Sequence, residues 1–105
     1  MNLAAKKLVT IVTESALEQK LKRELERLGA KGYTIVNARG SGHRGSREGN
    51  WGEASTNIRI EIVCSESVAH AIAEHCDRNY FANFAMIVYL SDVQAAGDRS
   101  EDEAE

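Results

Sequence analysis

The segment over residues 39–53, RGSGHRGSREGNWGE, contains the residue types of this chain that are best suited to binding an anion. It holds five of the eight glycines, three arginines, one histidine and the single tryptophan. Glycine permits positive φ angles, so consecutive backbone N–H groups can point at one oxyanion. Arginine adds a planar, permanently charged group that pairs with phosphate or carboxylate oxygens. The segment therefore predicts an anion-binding loop, and a flexible connection whose charges only maintain solubility is the alternative.

The common phosphate-binding and catalytic motifs do not fit this segment. No Lys-Ser or Lys-Thr pair follows the glycines, as a Walker loop requires, and the spacing is not a Rossmann fingerprint. His43 can donate to an oxyanion or respond to pH. Ser41 and Ser46 are interpreted as phosphate donors, because the sequence shows no nucleophile paired with a base and no carboxylate pair for acid–base work. We therefore predict no catalytic residue.

A metal site is not predicted either. His70 and His75 are five residues apart, so they do not share the helix face that an i,i+4 metal pair needs, and Cys76 does not correct the geometry. Cys64 and Cys76 are interpreted as small core residues. Two cysteines make no disulfide framework, which favours a reducing cytoplasm.

Length and charge indicate one globular domain with an acidic tail. A chain of 105 residues forms a single core, predicted here over residues 1–97. Residues 98–105, DRSEDEAE, contain five acids and one arginine and so contribute −4 to a net charge of −3. That tail is predicted to be disordered. The remainder is close to neutral, which argues against a nucleic acid as partner, and no apolar run reaches the length of a membrane span.

Hydrophobic periodicity predicts four strands and two helices. The first helix is expected to begin at a capping box, Ser15-x-x-Glu18, and to end at Gly29. In the third strand four apolar residues, Ile58 to Cys64, alternate with Arg59, Glu61 and Val63. The predicted strands cover residues 7–13, 33–38, 57–64 and 84–90, and the predicted helices cover 15–28 and 66–79.

This order, β-α-β-β-α-β, predicts an α+β ferredoxin-like fold, in which both helices cover one face of a four-stranded antiparallel sheet. The last strand is apolar on both of its faces, with Met86 and Val88 on one and Ile87 and Tyr89 on the other. A strand with water on one side would alternate more clearly. We therefore expect another subunit to cover the face that the helices leave open.

Four segments resemble the PII signalling superfamily, and in particular the PII-like regulators of bicarbonate-transport and carboxysome loci. They are KLVTIVTE, GAKGYTIVNARGSGHRGSR, TNIRIEIV and NYFANFAMIVYL, and they span most of residues 7–90. The specific part is GAKGYT followed by glycines and by Arg44 and Arg47. Standard PII proteins carry a glycine- and lysine-rich B-loop before the last strand. Residues 80–85 contain neither residue type, which favours the PII-like branch.

The resemblance implies a homotrimeric sensor rather than an enzyme. It implies that adenine nucleotides, ADP or AMP with ATP and cyclic AMP as further options, bind between subunits at the base of a T-loop, here about residues 39–56. Bicarbonate is implied as a second ligand. The T-loop would then contact a membrane transporter or a carboxysome-related protein and regulate inorganic-carbon uptake or fixation. No cofactor, metal or nucleic acid is implied.

The resemblance also implies site residues, by position in this chain. Residues 40–43 would surround the phosphates, Arg44 and Arg47 would add cationic groups, and Thr34 with residues 85–87 would border the ribose and adenine. The nucleotide site would then comprise Thr34, Gly40, Ser41, Gly42, His43, Arg44, Arg47, Ala85, Met86 and Ile87. The candidates for bicarbonate or phosphate are Arg59, Arg44 and His43.

Two other function classes stay open. One is a ferredoxin-like RNA-binding module, which would need aromatic residues on its middle strands for base stacking, and the strand NIRIEIVC has none. The other is a small acylphosphatase-like hydrolase using the same arginines, for which no residue stands out to position a water. Some transporter-linked relatives end in a cysteine-containing loop, and no cysteine follows Cys76 here.

Overall fold

The computed structural model describes residues 1–40 and 57–97, which form four strands, two α-helices and one short 3₁₀ turn. In chain order these are β1 (Leu3–Glu14), the 3₁₀ turn (Ser15–Leu17), α1 (Glu18–Leu28), β2 (Thr34–Ala38), β3 (Asn57–Cys64), α2 (Glu66–Asn79) and β4 (Met86–Ala96). The predicted T-loop after Gly40 and the predicted tail from residue 98 lie outside the described residues.

The strands form one antiparallel sheet in the order β2-β3-β1-β4, which confirms the predicted ferredoxin-like β-α-β-β-α-β fold. The central strand β1 pairs with β3 on one side and with β4 on the other, so that Val9 lies opposite both Ile62 and Leu90. The short strand β2 and the long strand β4 are the two edges.

Both helices pack on one face of this sheet and enclose a single core. The predicted alternation of β3 is confirmed, because Ile58, Ile60, Ile62 and Cys64 are all buried against the helices. The helices contribute apolar stripes to the same core, with Leu21, Leu25, Ala69, Ile72 and Cys76 as their buried members. Cys64 and Cys76 are therefore core residues, as predicted, and within the described residues neither forms a disulfide bond.

The predicted capping box at the start of the first helix is wrong. Ser15 opens the 3₁₀ turn, and α1 itself begins at Glu18 after Leu17, with no side-chain hydrogen bond capping either element. The tighter turn satisfies backbone groups that a serine cap would otherwise serve. The predicted end of the helix is confirmed: Gly29 has a left-handed φ of 110° and closes α1.

β1 and β4 are longer than predicted. Their ladder continues from Met86, opposite Thr13, to Ala96, opposite Leu3, whereas β3 ends at Cys64, opposite Lys7. The added residues include alanines and polar side chains with low intrinsic strand propensity, so nothing in their sequence indicated a strand. Both strands extend because β1 and β4 pair with each other, although the added residues have a low strand propensity of their own.

The second face of the sheet carries no helix, and we call it the open face. It contains three polar or charged side chains in the middle, Thr10, Arg59 and Glu61, surrounded by apolar ones. The exposed fractions of its outer apolar residues are 38% for Val36, 47% for Val63, 38% for Ile87 and 50% for Tyr89. The predicted two-sided apolar character of the last strand is thus present. Over residues 1–40 and 57–97, neither helix has the length and apolar character needed to cross a bilayer.

Candidate functional site

A cleft of about 350 Å³ lies at the β2 edge of the open face. One wall is the turn between Gly29 and β2, and the other is the outward side of β3 and β1. Its lining residues are Leu8, Lys31, Gly32, Tyr33, Thr34, Glu61 and Val63. Thr34 opens β2 and lies directly opposite Glu61 in the ladder, so the predicted site residue Thr34 is exposed at this cleft. The volume is at the lower end of the range that small-molecule sites occupy.

The cleft offers polar groups of both charges next to apolar ones. Lys31 provides a cation on the turn, and Glu61 provides a carboxylate on β3. Arg59 Nε lies 3.2 Å from Glu61 Oε2, and both side chains are about half exposed. This pairing orients the Glu61 carboxylate along β3 toward Arg59. Leu8 and Val63 supply apolar surface, so the cleft suits a flat ring with hydrogen-bonding edges.

The predicted residues of the last strand occupy the other edge of the sheet. Ala85 and Met86 are buried, whereas Ile87 is exposed on the open face. A small hollow of about 130 Å³ lies beside them, lined by Phe81, Met86, Ile87 and Val88. The side chains of Ala85 and Met86 therefore face the core, and Ile87 is the member of the predicted trio that presents a side chain to a ligand.

Thr34 and Ile87 are not brought together within one chain. Two strands separate β2 from β4, and three inter-strand spacings amount to about 14 Å. They also lie in different cross-strand rows of the open face, Thr34 in Thr34–Glu61–Thr10–Tyr89 and Ile87 in Val36–Arg59–Val12–Ile87. Thr34 and Ile87 therefore do not line one shared pocket in a single copy of the chain.

The glycine–arginine segment begins where β2 ends, at the same end of the sheet as the last residue of β1. Ala38 pairs with Asn57, and Asn57 pairs with Glu14, so Gly40 leaves the sheet beside the end of β1. Gly40 is exposed and has open space around its α-carbon. The other predicted residues of the segment, Ser41, Gly42, His43, Arg44 and Arg47, lie outside the described residues.

A larger cavity of about 520 Å³ lies at the opposite end of the sheet. Its lining residues are Ala5, Lys6, Lys7, Glu66, Asp92, Val93 and Gln94. Lys7 donates to Asp92 across the β1–β4 ladder, and this bond raises the pKa of the Lys7 ammonium. The cavity is remote from Gly40 but adjoins the cleft along β1, because Lys7 lines the cavity and Leu8 lines the cleft. Sequence reasoning did not identify it.

A polar cluster joins the two helices, and sequence reasoning did not predict it. The carboxylate of Glu24 on α1 accepts from the Tyr80 hydroxyl at 2.6 Å and from His75 Nε2 at 2.8 Å. Asn79 Nδ2 lies 3.2 Å from His75 Nδ1. This contact and the one to Glu24 engage both ring nitrogens and orient the His75 ring. Glu24 is three residues after Leu21 and four before Leu28, so it lies on the apolar side of α1, and it is buried there.

The cluster controls the protonation of its members. Burial opposes ionisation of Glu24, but the hydrogen bonds from Tyr80 and His75, with the nearby charges of His75 and Lys20, outweigh it and lower the pKa of the carboxyl. Burial and the bond to Glu24 raise the pKa of the Tyr80 hydroxyl. Burial, with a smaller effect of Glu24, raises the pKa of the Cys76 thiol to about 12. Tyr80 therefore stays a donor and Glu24 stays an acceptor near neutral pH.

The histidines of α2 do not form a metal centre with their neighbours. His75 Nε2 is bonded to Glu24, and His70 lies exposed elsewhere on the helix. In the part of the chain that the structure describes, no group of three or more histidine, cysteine or acidic side chains converges on a point where a metal could sit.

Comparison with known proteins gives one consistent result. The sequence model of the family described as nitrogen regulatory protein P-II matches residues 6–100. The chain is similar to a putative PII-like signalling protein from Thermus thermophilus, at 48% identity and a TM-score of 0.76 over 90% of this chain and 93% of that one. It is similar to CPII of Thiomonas intermedia bound to ADP, AMP and bicarbonate, at 27% identity and a TM-score of 0.78, over 91% and 100% of the two chains.

A more distant similarity extends to the GlnK–ATP complex of B. subtilis, at 26% identity and a TM-score of 0.57. That match covers 83% of this chain and 82% of GlnK.

Proposed function

This chain belongs to the nitrogen regulatory protein P-II family, and we propose that it is a PII-like signalling protein that binds adenine nucleotides between the subunits of a homotrimer. The observation that carries the proposal is the separation of Thr34 and Ile87 on opposite edges of one sheet. In this proposal the site is completed where the β2 edge of one copy meets the β4 edge of another. The exposed apolar residues of the open face supply the surface on which copies associate.

The nucleoside part of the ligand occupies the cleft at Thr34 in this proposal. The cleft combines the apolar surface of Leu8 and Val63 with hydrogen-bonding groups on Thr34 and Glu61. β2 runs from this cleft toward Gly40, over a distance of about 13 Å from Thr34 to Ala38. An elongated ligand with a ring at one end and phosphates at the other suits that separation.

The phosphates are bound by the segment that begins at Gly40. Glycines at 40 and 42 allow the backbone to approach an anion, and Ser41 and His43 add donors. Arg44 and Arg47 contribute two guanidinium groups. A segment of this composition costs entropy to order, which a bound anion offsets, so its conformation reports whether ligand is present. CPII bound to ADP and AMP supports this choice of ligand class.

Bicarbonate is proposed as a second ligand, near Arg59, Arg44 and His43. Arg59 lies on the open face between the two edges and is half exposed, so its guanidinium is accessible from the proposed subunit junction. Bicarbonate alone is small and singly charged, and a nucleotide that already orders the segment lowers its cost of binding. The liganded T-loop then contacts a transporter or a carboxysome-related protein in the cytoplasm and regulates inorganic-carbon uptake or fixation.

The test is calorimetry with ADP, AMP and ATP, each with and without bicarbonate, on the full chain. We expect saturable heat with ADP or AMP, and loss of most of it in the double variant Arg44→Ala/Arg47→Ala. Arg27→Ala with Arg23→Ala, two exposed arginines of α1, is the matched control and should bind normally. Absence of heat with every adenine nucleotide would remove the proposal.

The trimer is tested independently by light scattering. The expected mass is three times 11.5 kDa. A monomer at micromolar concentration, with or without ADP, contradicts the proposed site because its two edges would never meet.

A further inference from the structure

In residues 80–85, which connect α2 to β4, five of the six backbone N–H groups donate hydrogen bonds within the chain. The N–H groups of Tyr80 and Phe81 donate to the carbonyl of Cys76 at 2.9 and 3.2 Å. Those of Asn83 and Phe84 donate to the carbonyl of Tyr80 at 3.0 and 2.9 Å. A connector of this kind is a folded block and has few backbone donors left for an anion.

The block is fixed to the sheet at its far end. The Ala85 N–H donates to Glu14 Oε2 at 3.2 Å, and the Ala85 carbonyl accepts from Thr13 Oγ1 at 2.8 Å. Ala85 is fully buried, and β4 starts at the next residue. The position of Ile87 therefore follows from the position of the block.

Its near end is fixed to α1 through one side chain. Tyr80 is 1% exposed, and its hydroxyl donates to Glu24 at 2.6 Å, while its carbonyl accepts the two connector N–H groups. The ring packs against Phe84, with centroids 5.6 Å apart, and Lys20 Nζ lies 5.5 Å from the ring centroid. His75 Nε2 lies 2.8 Å from the same carboxylate oxygen, Glu24 Oε1.

We propose that Glu24 and Tyr80 are positioning residues for the β4 side of the ligand site, and that this side contacts the nucleoside and not the phosphates. The inference rests on the proposed function. It follows from two observations: the connector has its N–H groups occupied, and Tyr80 links it to α1 while the Ala85 contacts link it to the sheet. Removing the Glu24–Tyr80 bond loosens the block, which shifts Ile87 relative to the neighbouring copy's cleft.

The experiment compares Tyr80→Phe and Glu24→Gln with the unmodified chain for binding of AMP, ADP and inorganic pyrophosphate. Tyr80→Phe keeps the ring and deletes only the donor. We expect it to weaken AMP and ADP by the same factor, about fivefold, the size of one hydrogen bond, and to leave pyrophosphate binding unchanged. Glu24→Gln should weaken both nucleotides less, and the double variant should be no worse than Tyr80→Phe, because both changes act on one bond.

Glu74→Gln is the matched control, since Glu74 is also a helix carboxylate with one ion-pair partner, Arg78 Nη2 at 2.8 Å, but is exposed and makes no contact with the connector. It should bind all three ligands normally. Amide hydrogen exchange supplies a second readout. Exchange at Asn83 and Phe84 should accelerate in Tyr80→Phe and stay unchanged in Glu74→Gln.

If Tyr80→Phe binds nucleotides as well as the unmodified chain does, this inference is overturned, but the proposed function is not. Equal weakening of pyrophosphate and nucleotides overturns the assignment to the nucleoside. Failure of the unmodified chain to bind any adenine nucleotide overturns the proposed function instead.

Discussion

The two faces of strand β3 differ in what completes them. On one face, Ile58, Ile60 and Ile62 are buried by helices that belong to the same chain. On the other, Arg59, Glu61 and Val63 lie on the open face, which no element of the described chain covers. The helix-covered face of β3 thus stabilises the fold of a single copy. The open face is available for contacts with other copies and with ligands. Adjacent residues of one strand therefore serve separate purposes and can be changed separately.

The largest effect is expected on the helix-covered face. Ile60 is fully buried at the centre of the sheet, opposite Ile11. Ile60→Ala removes buried apolar surface and leaves a cavity, so we expect the free energy of unfolding to fall by about 3–4 kcal/mol. Urea denaturation followed by circular dichroism measures it. A loss below about 1 kcal/mol would show that the helices do not pack on this face as described.

A charge on the open face should act on assembly rather than on folding. Tyr89 is half exposed and lies in the cross-strand row that contains Glu61. We expect Tyr89→Asp to convert the proposed trimer to monomers, because a carboxylate would be desolvated where copies associate, while circular dichroism stays unchanged.

Leu3→Asp is the control for that prediction, because Leu3 is also an exposed apolar residue but lies at the far end of β1. It should remain trimeric by light scattering. If Tyr89→Asp also stayed trimeric, copies would have to associate through some surface other than the open face.

The smallest effect is on the pH dependence of stability. The pKa of Glu24 is lowered in the folded chain, so its contribution is fully present above the ordinary value of 4.5 and is lost as pH falls through the folded pKa. We expect the stability of Glu24→Gln to lack the pH dependence that the Glu24 carboxylate contributes, whereas Glu74→Gln should keep that pH dependence. Identical acid-unfolding curves for the unmodified chain and Glu24→Gln would contradict the buried contacts of this carboxylate.

Periodicity predicted most of the fold and less of the site. The alternation of β3 and the limits of α2 at residues 66–79 are visible because each depends on neighbours in sequence. The extension of β4 to Ala96 and the 3₁₀ start at Ser15 depend on pairing and packing instead. The same reason explains why the Glu24–Tyr80 contact was missed, since its partners are 56 residues apart.

The candidate site divides in the same way. Thr34 could be assigned from the resemblance, but the cleft beside it needs Lys31, Glu61 and Val63 to converge from separate elements. The distance between Thr34 and Ile87 depends on the order of the strands in the sheet. Strand order is a tertiary property, and amino-acid composition does not predict it. The assignments to residues 41–47 stay predictions, because those residues lie outside the described ones.

The burial of Cys76 has a practical consequence for following this protein in solution. With a thiol pKa of about 12 and almost no exposed surface, its side chain stays protonated and out of reach of maleimides while α2 is in place. Alkylation of the Cys76 sulfur would therefore occur only in molecules in which α2 has separated from the sheet, and its rate would measure how often that opening occurs.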